Sequence, residues 1–238
     1  MARFVLVLVL AVAAPAWAGG VALDDSRLGA VAPQVHAIVD GAARAGLPAD
    51  VVADKVREGL AKGVPPARIA AVAVALADAL GRARAEAQPL VGTASPALLK
   101  AIVEAHAVGA AAADVAAILR AGGRERAVQV LTDLAQRGYP VAAAARTVAA
   151  VGARHGAALD RVVGEAERLR AVDGAAPADA LDALARANAQ GLGLDHAEQL
   201  LHAGDGADDA HAPNRETSGA RGPRSGGVAA PGRGKGRP

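Results

Sequence analysis

Between Pro33 and Ala203 the large apolar residues fall three and four positions apart, and this spacing limits the fold more than anything else in the chain. Val52, Val56 and Leu60 stand at i, i+4 and i+8; Ile69, Val72, Leu76 and Leu80 follow at steps of three, four and four. Residues so placed share one face of a helix. The same rule holds for Leu99, Ile102 and Val103; Val115, Ile118 and Leu119; Val128, Leu131 and Leu134; Leu159, Val162, Val163 and Leu169; Leu181 and Leu184; and Leu194, Ala197 and Leu201. Runs of strict alternation bounded by turn residues are missing from the sequence, so strands are not expected. The spacing predicts an all-α protein of about nine or ten helices, most of them three to four turns long.

The breaks between stripes share a chemistry. Gly46-Leu47-Pro48, Gly63-Val64-Pro65 and Gly138-Tyr139-Pro140 repeat one pattern, with looser versions at Gly109-Ala110-Ala111 and Gly191-Leu192-Gly193. Glycine suits the left-handed residue just past a helix, the next apolar side chain folds back on the last turn, and proline is tolerated in the first turn of the following helix. Each break therefore reads as the corner of an αα-hairpin. Gly122-Gly123-Arg124 reads as a helix stop, Ser95 before Pro96 as an N-cap, and Pro177-Ala178-Asp179 as another helix start.

Intervals of 17, 46, 29 and 53 residues separate the corner glycines 46, 63, 109, 138 and 191, so no fixed repeat length emerges. Known helical repeats keep both a length and a residue signature. An irregular bundle built from αα-hairpins is the expected architecture, with a helical superhelix as the alternative. The stripe lapses at 88–95 (QPLVGTAS) and at 173–176 (DGAA), which are soft boundaries inside a helical domain spanning 19–204.

The amino terminus is read as a cleavable signal peptide over 1–18. Arg3 supplies the positive charge, Phe4 to Ala14 an apolar run, and Ala16-Trp17-Ala18 a small-x-small site, with cleavage expected between Ala18 and Gly19. The apolar run falls short of the roughly 20 residues a spanning helix needs. No cysteine occurs anywhere, so neither a lipid anchor on cysteine nor a disulfide is available, and the fold must rest on packing. The expected address is the periplasm or the cell exterior.

From Asp205 onward Gly, Pro, Arg and Ser replace the apolar stripe, and 205–238 is expected to be a disordered basic tail. Charge is unevenly placed: 19–204 holds 19 basic against 20 acidic residues, whereas 215–238 holds Arg215, Arg221, Arg224, Arg233, Lys235 and Arg237 against Glu216 alone. Arg221, Arg224, Arg233, Lys235 and Arg237 are candidate contacts to an anionic envelope polymer. Nucleic acid is not expected, because Phe4, Trp17 and Tyr139 are the aromatic residues of the whole chain and only Tyr139 survives cleavage. Base stacking, sugar stacking and methylammonium cages all need more than one.

Catalytic constellations are hard to assemble from what remains. Nucleophilic catalysis needs a hydroxyl or thiol beside a positioned base. Ser26, Thr93, Ser95, Thr132 and Thr147 are the hydroxyls between 19 and 204, none in a Gly-x-Ser-x-Gly elbow. Asp195, Glu198 and His202, at i, i+3 and i+7, line up three ligand types if the segment is one helix. A solvated face with a Glu198 to His202 contact is the preferred reading, so no metal and no cofactor is assigned. His36 with Asp40 is read the same way, and His106 as a partly buried, hydrogen-bonded residue. Glu165 and Glu167 lie two apart and point different ways, which removes them as an acid and base pair. Arg120, Arg124 and Arg126 are read as solvated surface. The sequence thus leads to an exported, non-enzymatic helical interaction or scaffold protein of the envelope, working on a protein partner. The alternative is a polyanion-associating protein acting through its tail.

Overall fold

The computed structural model describes residues 23–154 and 156–208. The signal peptide with its Ala18 and Gly19 cleavage pair, and Arg221, Arg224, Arg233, Lys235 and Arg237 of the tail, lie outside the described residues. Among the described residues every regular element is helical. A single turn, α1 (Asp25–Leu28), precedes ten longer helices: α2 (Ala32–Arg44), α3 (Ala49–Ala61), α4 (Pro66–Val91), α5 (Pro96–Ala107), α6 (Ala112–Arg120), α7 (Glu125–Gln136), α8 (Val141–Arg154), α9 (Leu159–Asp173), α10 (Pro177–Ala189) and α11 (Ala197–Asp208).

The corners close as glycine chemistry dictates. At the end of α2, Gly46 takes φ 67°, its N–H bonds the Ala43 carbonyl at 2.9 Å, and the Leu47 N–H bonds the Ala42 carbonyl at 2.9 Å. This pair of bonds satisfies two of the carbonyls that a helix end leaves over. The same pair closes helices at Gly63, Gly109, Gly122, Gly138 and Gly191. Helix starts follow the sequence as closely, with Pro96 and Pro177 opening α5 and α10 and the Leu98 N–H bonding Ser95 Oγ at 3.1 Å.

The 88–95 stretch holds the end of α4 and the turn into α5: α4 runs on through Gln88 and Pro89 to Val91 and ends at Gly92. Proline costs a helix one N–H bond and a clash with the preceding turn, and here Leu90, Val91 and Ala94 pack against the core and hold the segment in place. The α4 stripe is shifted. Val72 is exposed, whereas Ala70, Ala73, Ala83 and Ala87 are buried beside Ile69 and Leu80. Alanine on the inner face lets neighbouring helix axes come close, toward about 8 Å.

One continuous apolar cluster runs through the described residues, with Ile102, Ile118, Leu131, Leu134, Leu169, Leu181 and Leu184 fully buried. Each such side chain contributes roughly 1.5–3 kcal/mol through removal from water. At the amino-terminal end α2, α3 and α4 pack on one another. Beyond α4 the partners alternate: α4, α6, α8 and α10 form one row, each against the next, and α5, α7 and α9 form a second. Two buried polar side chains tie the first row together. Thr147 Oγ1 on α8 donates to the Leu181 carbonyl on α10 at 3.1 Å, and Asn188 Nδ2 on α10 donates to the Ala150 carbonyl on α8 at 2.8 Å.

Candidate functional site

Four of the five hydroxyls have partners. Ser26 Oγ donates to Asp24 at 2.6 Å, Ser95 caps α5, Thr132 Oγ1 bonds the Val128 carbonyl at 3.1 Å, and Thr147 serves the helix contact just described. No imidazole stands within hydrogen-bond distance of any of them among the described residues, so a nucleophile and base pair is not formed there.

His36 pairs with Asp25, at 2.6 Å, and not with Asp40. His106 is the partly buried, hydrogen-bonded residue expected of it, with Nε2 2.9 Å from Glu86 Oε2 and Nδ1 2.8 Å from the Ala110 carbonyl. Glu165 receives Arg161 at 3.0 Å and Arg168 at 2.9 Å, which hold its carboxyl below the usual range, Arg168 first, while Glu167 faces Arg170 at 3.8 Å. Of the small basic cluster, Arg126 bridges to Asp160 at 2.7 Å.

The most concentrated set of ligand-type side chains lies where α9 ends and α11 begins. Glu198 and His202 belong to it, but Asp195 does not. Leu194–His196 is a 3-10 turn and α11 starts only at Ala197, so Asp195 leaves the face that a continuous helix would have given it. Asp195 instead faces His196 at 3.5 Å and Arg161 at 4.0 Å. Its place is taken by Asp173, the last residue of α9. One ligand atom from each of Asp173, Glu198 and His202 lies within 4.8 Å of the others. Asp173 Oδ1 is 3.8 Å from His202 Nε2, and Glu198 Oε2 accepts from Arg168 Nη1 at 3.0 Å. No spacing rule could have supplied Asp173, which stands 25 residues before Glu198 in the DGAA stretch read as a soft boundary. Only the antiparallel return of the chain through α10 brings the two together.

Asp173 and His202 form one end of a cleft of about 840 Å³, whose other charged lining is Arg146, Asp179, Asp182 and Arg186. Arg146 and Asp182 face each other there at 3.6 Å. A second, shallower groove of about 580 Å³ runs between α2 and α4 along Ile38, Leu47, Val74, Ala77, Gly81 and Ala85. The first could hold a cation or a small polar ligand at its Asp173 end; the second is mainly apolar, with Asp78 and Arg82 as its charged lining. Among the described residues no helix is long and apolar enough to cross a membrane.

No family model, no curated protein and no solved structure matches the chain.

Proposed function

We propose that the protein is an exported, non-enzymatic scaffold of the cell envelope that presents helix faces to another protein. The observation that carries this reading is the alternation of helices into two rows. Stacked helix pairs make extended surfaces whose length and curvature are set by repetition, and such arrays serve as binding scaffolds on many unrelated proteins. The structural use of Ser26, Ser95, Thr132 and Thr147 supports the same reading, since chemistry of the acyl-transfer type would need a hydroxyl beside a base.

The test is amide hydrogen exchange on the protein freed of 1–18, alone and with a solubilised envelope fraction. Protection gained by contiguous peptides of one helix row, unchanged when 205–238 is deleted and persisting at moderate salt, is the expected result. A response confined to the tail, lost on its deletion and falling steeply with salt, would replace the scaffold reading with polyanion association.

A further inference from the structure

Asp173 is a carboxylate in an unfavourable place. It closes α9, where the helix carbonyls already present partial negative charge, and its side chain is only 6% exposed. Oδ2 is buried and accepts no hydrogen bond. Burying a carboxylate oxygen without a donor is costly, and folded proteins ordinarily supply one. Among the described residues, the other two side chains of the cluster do not supply one. Glu198 brings a second carboxylate into the cluster, and the His202 imidazole stands 3.8 Å away, beyond hydrogen-bond reach.

We propose that Asp173, Glu198 and His202 bind a divalent cation of the zinc class, with water completing its shell. An ion at that point gives the buried Asp173 carboxylate a cationic partner and brings the Asp173 and Glu198 carboxylates into shared coordination. The donor set selects the metal: one imidazole nitrogen with two carboxylate oxygens suits zinc and its transition-metal neighbours, whereas magnesium and calcium take oxygen alone. Bonds of about 2.1 Å put neighbouring donors of a tetrahedral ion roughly 3.4 Å apart, closer than the 4.8 Å limit within which these atoms lie. The contraction falls on the two side chains free to make it, since Glu198 is 43% and His202 59% exposed. Arg168 does not stand in the way, because it keeps Glu165 at 2.9 Å if Glu198 turns. The ion adds a tie between α11 and the end of α9 to the one that Arg168 and Glu198 already make. This inference is independent of the scaffold reading.

Calorimetric titration and thermal unfolding of the full chain with zinc chloride alone provide the test. One zinc per chain, saturable, with an upward shift of the melting temperature, is expected. Both effects are lost in His202→Ala and in Asp173→Asn and kept in Asp195→Asn. Asp173→Asn removes a buried charge, so without zinc it is at least as stable as the parent; should it fail to fold, His202→Ala, at an exposed position, decides alone. Absence of saturable binding, binding that survives both substitutions, or an equal shift from magnesium chloride would overturn the proposal.

Discussion

His106 and Glu86 join α5 to α4 through a 2.9 Å contact, while the other ring nitrogen of His106 meets the Ala110 carbonyl at the corner that follows. Both ring nitrogens therefore face acceptors, and only the doubly protonated imidazolium donates to both. Burial pushes the imidazole down, but the carbonyl and the carboxylate more than offset it and hold His106 above its ordinary value. A raised folded value stabilises the fold fully below the unfolded value, and that contribution is lost as pH rises through the folded one. Urea unfolding of the parent and of Glu86→Gln at pH about 6 and about 8 checks this. The parent's advantage should shrink at the higher pH, and an advantage that stays constant would refute the ionic pairing.

Tyr139 reports on a second contact. It is the one tyrosine of the chain and is 2% exposed, with the Arg170 guanidinium 5.1 Å from its ring centre and its buried hydroxyl without a hydrogen-bond partner among the described residues. Burial holds the phenol above its usual range, against the lowering effect of Arg170. Tyrosinate absorbance on alkaline titration should accordingly develop later in the folded protein than in urea. Tyr139→Phe removes an unpaired polar atom and keeps the cation over the ring, so it should leave stability unchanged or raise it. A loss above about 1 kcal/mol would mean that the hydroxyl has a partner.

Thr147 and Thr132 are both buried, yet their hydroxyls differ in use. Thr147 reaches the next helix as well as the Ala143 carbonyl of its own, whereas Thr132 bonds only Val128 one turn back. Thr147→Val should cost about 1 kcal/mol and Thr132→Val close to nothing, because a bond within one turn adds little to a helix already hydrogen-bonded. Equal losses in denaturant midpoints would contradict the cross-helix role.

Two glycines predict opposite signs. A methyl group on Gly123 would stand 2.6 Å from Ile118 Cγ2 and 2.7 Å from the Ile118 carbonyl oxygen, the acceptor of the Gly123 N–H. Gly164, inside α9, has nothing within 4 Å of that position. Gly123→Ala should destabilise by about 1–3 kcal/mol, and Gly164→Ala should stabilise by about 0.5–1 kcal/mol. Thermal melts of the two variants give the answer directly.

Helix class, corner positions and caps were legible because each is settled by residues within one turn of one another. The buried face of α4 was not: hydrophobicity favours Val72, but packing prefers Ala70 and Ala73, whose small size is what admits the neighbouring helix. The row order was equally hidden. Gly92 and Gly174 also close helices, and α4, at 26 residues, is twice the length of α3, so the glycine intervals never settle. At the candidate site, Glu198 and His202 were readable from helical spacing, Asp195 was misplaced by a 3-10 turn, and Asp173 depends on tertiary proximity.

The alternation of partners gives the array a parity. Excising one helix from the middle, α6 for instance, would move α7 to α10 each into the opposite row, and every apolar stripe beyond the cut would meet the wrong neighbour. Excising two consecutive helices leaves every later helix in its own row. The unit that preserves the two rows is thus the helix pair, although no repeated sequence marks where one pair ends and the next begins.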